Sequence, residues 1–218
     1  MPASQRIIDL RKLLAERFQQ QPPTLAGGQI NVPLLEQTLE GGLPKGTITE
    51  IISPNPSAGS ALLIHSLLQI AQRDRVFLAL IDGSDSFDVQ CLDPDILQHL
   101  LWVRCEKGGE AVKAADFLLR DGNFPLVILD LILNPADELR RIPATTWYRL
   151  QRLVEPAPTA FMVMSRHNLV ASARSKIVLD NQWRLSDLSR DNPGTRLHFK
   201  LHRSQSMPGF CSGGRRLP

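Results

Sequence analysis

Two segments of this chain most constrain what it can fold into. Val76–Asp82 (VFLALID) and Leu126–Leu131 (LVILDL) are apolar almost without interruption, and helix-patterned sequence lies between such runs. A strand that is apolar on both faces must be covered on both faces, which is the situation of a parallel sheet with crossover helices above and below it. The remaining periodicities agree with that arrangement. Thr47–Ser53 (TITEIIS) predicts a first strand, Ser60–Arg73 a helix, Leu100–Cys105 a short strand and Gly109–Arg120 a helix. A helix over Asp137–Val154, interrupted at Pro143, and a strand at Thr159–Ser165 complete the series. The fold class is α/β, a mostly parallel twisted sheet with helices on both faces. Farther on, Ile177–Leu179, Trp183–Leu185 and Arg196–His202 alternate apolar and polar residues, which predicts antiparallel strands at the edge of the sheet.

With 218 residues, 43% of them hydrophobic, the chain is long enough for one sizeable core with appendages. The expected division is an N-terminal amphipathic helix and linker over 1–23, a core over 24–203 and a basic tail over 204–218. From Ser4, the residues Ile7, Leu10, Leu14 and Phe18 recur at helical spacing, with Arg11, Lys12, Glu16 and Arg17 on the other side. The stretch Gln19-Gln-Gln-Pro-Pro23 then ends the helix. That apolar stripe needs a partner, either its own core or another subunit, and is the candidate for self-association or protein docking.

No apolar run approaches the ~20 residues needed to cross a bilayer, and the N-terminus has no signal-peptide pattern, so a cytoplasmic protein is expected. Cys91, Cys105 and Cys211 show no CxxC spacing, which points away from a disulfide framework or zinc site. The charge is unevenly spread. Residues 190–218 hold six basic residues against Asp191 alone, a net +5, so the first 189 residues carry −2 within a total of +3. Arg203, Arg215 and Arg216 are therefore candidates for nucleic-acid or partner contact.

In an open α/β sheet, ligands sit beyond the carboxyl ends of the strands, and the first such end here is the turn Ser53–Ser60. A phosphate loop of the form GxxxxGK[ST] supplies backbone N–H groups, a lysine for the outer phosphates and a hydroxyl for Mg²⁺. Ser53, Ser57, Gly59 and Ser60 are the candidate residues of such a loop. Whether Gly59 is taken as the second glycine or in the lysine position, neither register supplies a lysine or the first glycine. The loss of that cation would remove a charge-assisted contact worth about 1.5–3 kcal/mol to a triphosphate. An ordinary strand-to-helix turn is the plain alternative.

The run Glu40–Ser53 (EGGLPKGTITEIIS), the degenerate loop, Val76–Asp82, Leu92–Val103 and Gly109–Leu119, followed by Leu126–Asp130, together resemble the RecA-type ATPase core over about residues 40–170. The resemblance implies a RecA-like core in which Asp130 is the Walker B-like aspartate; an aspartate at a strand end also serves simply as a turn or cap. It further implies that Ser84 stands where these ATPases carry the glutamate that activates water, and that Ser165 or Arg166 replaces a sensor glutamine. Arg166, Arg174 and Lys176 could touch phosphates or be solvated surface. Neither loop after the later strands carries aromatic platforms of the kind that stack single-stranded DNA.

Among RecA paralogues, the short ImuA type, also described as RecA-like or SulA-like, shows the same N-terminal helix, linker, GGLPKG entry and degraded loop. What this resemblance implies is a non-hydrolysing accessory protein of damage-induced mutagenic translesion synthesis. It would be a pseudo-ATPase that meets a Y-family polymerase-like subunit, an error-prone polymerase and RecA through protein contacts. No catalytic residue, metal or cofactor is expected, with ATP at most weakly bound. The alternatives are a SulA-like inhibitor of the division GTPase, a RecA-type ATP-binding repair protein, and direct DNA binding by the basic tail.

Overall fold

The computed structural model describes residues 28–36, 38–55, 58–90, 92–181 and 197–204, without the side chains of 203 and 204. The predicted N-terminal helix with its Ile7/Leu10/Leu14/Phe18 stripe, the Trp183–Leu185 segment, Arg215 and Arg216 lie outside the described residues.

A small antiparallel pair, β1 (Gln29–Ile30) and β2 (Leu43–Pro44), precedes the main sheet. The main sheet then takes in β3 (Ile48–Ile52), β4 (Leu78–Asp82), β5 (Leu100–Arg104), β6 (Leu126–Asp130), β7 (Ala160–Ser165), β8 (Ser175–Leu179) and β9 (Phe199–Ser204). Its strand order is β5-β4-β6-β7-β3-β8-β9, and every pairing is parallel except β8 with β9. All residues of β3, β4 and β7 are buried, the polar Thr49 and Glu50 of β3 among them, as the central strands of a sheet covered on both faces require. The antiparallel strand expected at the carboxyl-terminal edge is β9. β8, read from its alternation as antiparallel, is also a parallel neighbour of β3, with Glu50 directly opposite Lys176.

Helices cover both faces. On one, α1 (Ser60–Arg73) buries Leu63, Ile64, Leu67, Leu68 and Ala71 at helical spacing against Leu78, Leu80, Ile128 and Met162. The short α2 (Pro94–Leu97), capped by the Asp93 carboxylate accepting from the Asp95 N–H at 2.9 Å, adds Ile96 to this layer. On the other face lie α3 (Gly108–Asp121), α4 (Ala136–Arg140) and α5 (Ala144–Val154). They bring Ala111, Ala115, Leu119, Leu139, Trp147 and Leu150 onto Ile81, Val127, Leu129 and Phe161. Pro143 stands between α4 and α5 as the N-cap of α5, so the predicted long helix is two, broken where the proline removes an N–H. At ~1.5–3 kcal/mol for each large aliphatic or aromatic side chain removed from water, two such layers dominate the stability of the fold.

Candidate functional site at the carboxyl ends of the strands

The parallel registers bring four strand ends level. Asp82 is opposite Asp130, Asp130 opposite Met164, and Ser165 opposite Ile52. Beyond these ends opens a cavity of about 560 Å³ whose lining includes Asn55, Ser60, His65, Asp88, Asp130 and Arg166. Its apolar wall comes from Ala61, Leu62, Ile64, Phe87, Leu92, Ile132 and Leu133.

The turn from β3 into α1 forms one rim. Gly59 caps α1 at φ +105°, a left-handed conformation that a side chain would strain, and α1 begins at Ser60. A phosphate loop leads into its helix in the same way; Gly59 falls on either the second glycine or the lysine of such a loop and Ser60 on the lysine or the hydroxyl, so neither register brings a lysine to the turn. The turn is tied down from β8 and the chain beyond it. Asn181 donates to the Ala58 carbonyl at 2.8 Å and accepts from the His198 N–H at 2.7 Å, and Asn55 donates to Asp180 at 3.0 Å. Ser53 is buried, with its N–H on the Ser165 carbonyl at 2.8 Å. Ser57 lies outside the described residues.

Asp82 is buried and organises the second rim. Its carboxylate accepts from the N–H groups of Ser84 (3.2 Å), Ser86 (2.7 Å) and Phe87 (2.7 Å). Ser84 stands where the resemblance places a glutamate, and its hydroxyl donates to Ser86 Oγ at 3.2 Å. The loop backbone also has to pass close to the end of β6. The Gly83 N–H donates to the Asp130 carbonyl at 2.9 Å, and Asn134 donates to the Gly83 carbonyl at 2.7 Å. A Cβ on Gly83 would fall on Asn134 Oδ1 and 2.8 Å from the Asp130 carbonyl oxygen.

Asp130 does both things that its position allows. Its Oδ1 accepts from the Ile132 N–H at 3.0 Å, the turn role, and its side chain lines the cavity. Burial pushes its carboxyl up to about 6; the Ile132 hydrogen bond opposes that rise and the nearby Asp82 charge adds to it. Arg166, at the end of β7, is half-buried and also lines the cavity, and its Nε is buried without a hydrogen-bond partner among the described residues.

Lys176 is neither a phosphate contact nor solvated surface. It is 3% exposed and pairs with the fully buried Glu50 at 2.7 Å; it also donates to the Asn168 side chain and to the Val170 carbonyl. Glu50 Oε1 in turn accepts from the Leu169 (2.6 Å) and Val170 (2.9 Å) N–H groups. The pair therefore fixes the loop that comes after Arg166. Arg174 is half-buried. Arg203 shows only its backbone, opposite Lys176 across the β8–β9 pair. Arg140 and Arg141 are exposed, the former on Asp137 at 3.0 Å. Cys105 is a buried free thiol, and Cys91 and Cys211 lie outside the described residues. No group of three or more candidate metal-ligating side chains and no helix long and apolar enough to cross a membrane occurs among the described residues.

Sequence comparison decides the family. Residues 12–144, more than half of the chain, match the RecA N-terminal domain. The chain belongs to the RecA N-terminal domain family. It is 34% identical to Protein RecA of Chlorobaculum tepidum over 104 residues, which is 45% of this chain and 30% of that protein. It is 36% identical to Protein RecA of Clavibacter michiganensis subsp. michiganensis over 104 residues, 45% and 28% of the two chains. It is also 28% identical to that of a Picosynechococcus species over 131 residues, 58% and 36% of the two chains. The chain thus spans about a third of the length of the curated RecA relatives it matches.

Within this RecA-like core the residues present are a poor fit to a magnesium nucleoside triphosphate. No lysine occurs between Lys45 and Lys107. Arg166 faces the cavity together with two carboxylates, Asp88 and Asp130, and the Asp82 carboxylate is already engaged by three amides. Among the described lining residues a polyanion would meet more carboxylates than guanidinium or ammonium groups. Sequence reasoning located this site from the Ser53–Ser60 turn and Asp130. It missed Asp82 as the organiser of the second rim, although an aspartate ending an apolar strand before Gly-Ser-Asp-Ser is a visible signal.

Proposed function

We propose that this protein is a non-hydrolysing RecA-like accessory factor of damage-induced mutagenic translesion DNA synthesis. It acts through contacts with a Y-family polymerase-like subunit, an error-prone polymerase and RecA rather than through turnover of ATP. The observation that carries this reading is the pairing of a retained RecA-family sheet with a strand-end site whose β3–α1 turn holds no lysine in either register and in which Ser84 stands at the glutamate position of the resemblance. Phosphoryl transfer depends on positioned positive charge and an oriented nucleophile; the turn offers Gly59 or Ser60 where the charge belongs, and Ser84 stands where the group that orients water is expected. The strand-end turns keep their shape without those groups because Asp82, Asp130 and the Ala58 carbonyl have partners within the chain. The N-terminal Ile7/Leu10/Leu14/Phe18 stripe and the basic residues Arg203, Arg215 and Arg216 are the surfaces assigned to partners.

The test is steady-state ATP hydrolysis by the purified protein beside Asp130→Ala. The expected rate does not exceed that of the variant; turnover that Asp130→Ala abolishes overturns the proposal. Co-expression with the two polymerase-type partners is expected to yield a complex that Leu10→Asp with Leu14→Asp disrupts while leaving the core folded.

A further inference from the structure

The cavity beyond β4, β6 and β7 has a composition of its own. Its wall is built mainly from Leu62, Ile64, Phe87, Leu92, Ile132 and Leu133. Leu133 is 55% exposed at its edge, and Phe87 is held in place by an edge-on contact with Trp102 at 5.9 Å between ring centroids. Cavities of ~300–1,000 Å³ with largely apolar walls and a few convergent polar groups are the usual form of small-molecule sites, and this one is about 560 Å³. Arg166 supplies a guanidinium whose Nε has been taken out of water without receiving an acceptor among the described residues. Arg166 is half-buried and lines the cavity, so its side chain stays within reach of an acceptor that enters there, while the buried Nε lacks one.

We infer that this cavity is a binding site for a small organic acid, a single carboxylate on an apolar body, with the carboxylate on Arg166 and the body against Phe87, Leu92, Ile132 and Leu133. A guanidinium pairs with one carboxylate in a planar, bidentate manner. Asp88 and Asp130 in the same lining disfavour a multiply charged phosphate group. Among the described lining residues Arg166 is the one lysine or arginine, enough to pair with a single carboxylate, and the larger part of the wall is hydrocarbon. The inference rests on the reading that this site has left nucleotide chemistry, and the experiment separates the two.

The experiment is calorimetric titration of the full chain with four probes: 4-phenylbutyrate, its uncharged amide, inorganic phosphate and ATP with Mg²⁺. A charge-assisted hydrogen bond is worth ~1.5–3 kcal/mol, or about tenfold and more in affinity. The carboxylate is thus expected to bind about tenfold or more tightly than the amide. Inorganic phosphate is expected to bind more weakly than the acid, and tighter binding of phosphate overturns the organic-acid site. Arg166→Gln should erase the difference between acid and amide without changing amide affinity. Leu133→Ser, at an exposed position that folding does not need, should weaken acid and amide alike. Equal binding of acid and amide, or a carboxylate preference that survives Arg166→Gln, overturns the organic-acid site while leaving the non-hydrolysing reading intact. Binding of ATP with Mg²⁺ more tightly than the acid overturns both.

Discussion

Replacing Asp130 by asparagine should make the protein more stable at neutral pH, although it removes the Walker B-like residue. In the folded chain, burial raises the Asp130 carboxyl from 3.8 to about 6. An acid with a raised folded pKa binds its proton more tightly folded than unfolded. Folding is therefore favoured at low pH and loses ground as pH climbs from about 4 through about 6. Two pH units correspond to about 3 kcal/mol. Asp130 keeps partial exposure on the cavity side, and its charged Oδ1 gives the Ile132 N–H a stronger acceptor than an amide oxygen would. The net gain expected for Asp130→Asn is therefore about 1–2 kcal/mol at pH 7.5, fading toward zero by about pH 4. Urea denaturation of both proteins at about pH 7.5, 6, 5 and 4 reads the difference directly. A variant less stable than the parent at neutral pH, or a difference that does not change with pH, would refute the reasoning.

Three further outcomes are expected. Lys176→Met strands the Glu50 carboxylate in the core and should cost about 3–5 kcal/mol by urea denaturation, whereas the double variant Glu50→Gln with Lys176→Met should recover part of that loss; a double variant less stable than the single one counts against the buried pair. Gly83→Ala sets a methyl group against Asn134 and the Asp130 carbonyl, and should lower stability by about 1–3 kcal/mol, which an unshifted thermal midpoint contradicts. Asp85→Ala breaks the exposed pair with Arg104 at 2.5 Å and should leave the thermal midpoint essentially where it is, since solvent screens such a pair; a clear loss in the same assay would show that Asp85, held at φ +51°, shapes the loop in its own right.

The sheet could be read because its strands announce themselves. LVILD and FMVMS are apolar on both faces, and a segment of that kind has no solvent side to choose. The break at Pro143 could be read because proline removes an N–H from any helix that tries to run through it. β8 was harder. The apolar pattern begins it at Ile177, yet Ser175 and Lys176 belong to the strand and are buried. A lysine ahead of an apolar triplet reads as solvated surface, but Lys176 meets Glu50 across the neighbouring parallel strand, and a charge with a buried partner carries no information about solvent. Arg166 is the same problem in reverse. Among three cations near a strand end, only the tertiary arrangement distinguishes the one that faces the cavity from the one inside an ion pair. The apolar wall was invisible for a simpler reason: Leu62, Phe87, Leu92 and Leu133 come from three separate segments and share no local pattern.

The same geometry explains how a RecA-family chain can lose its phosphate-binding lysine without losing the fold. A site that clusters charge for a ligand is a destabilising feature unless the ligand is present to neutralise it. Here the strand-end groups are satisfied from within. Asp82 takes three backbone N–H groups, Asp130 takes one, Ser165 Oγ donates to the His167 carbonyl, and the Ala58 carbonyl receives Asn181. None of these contacts needs a nucleotide, so the β3–α1 and β4 turns keep their shape with no lysine in the first and Ser84 in the second. Beyond these turns lies a concave surface with mainly apolar walls, where Arg166 Nε is buried without a hydrogen-bond partner among the described residues. On the proposed reading phosphate chemistry no longer constrains this surface, and its wall is open to apolar side chains that suit an uncharged ligand body. The leucines and phenylalanine lining the cavity are the residues that this sequence places there.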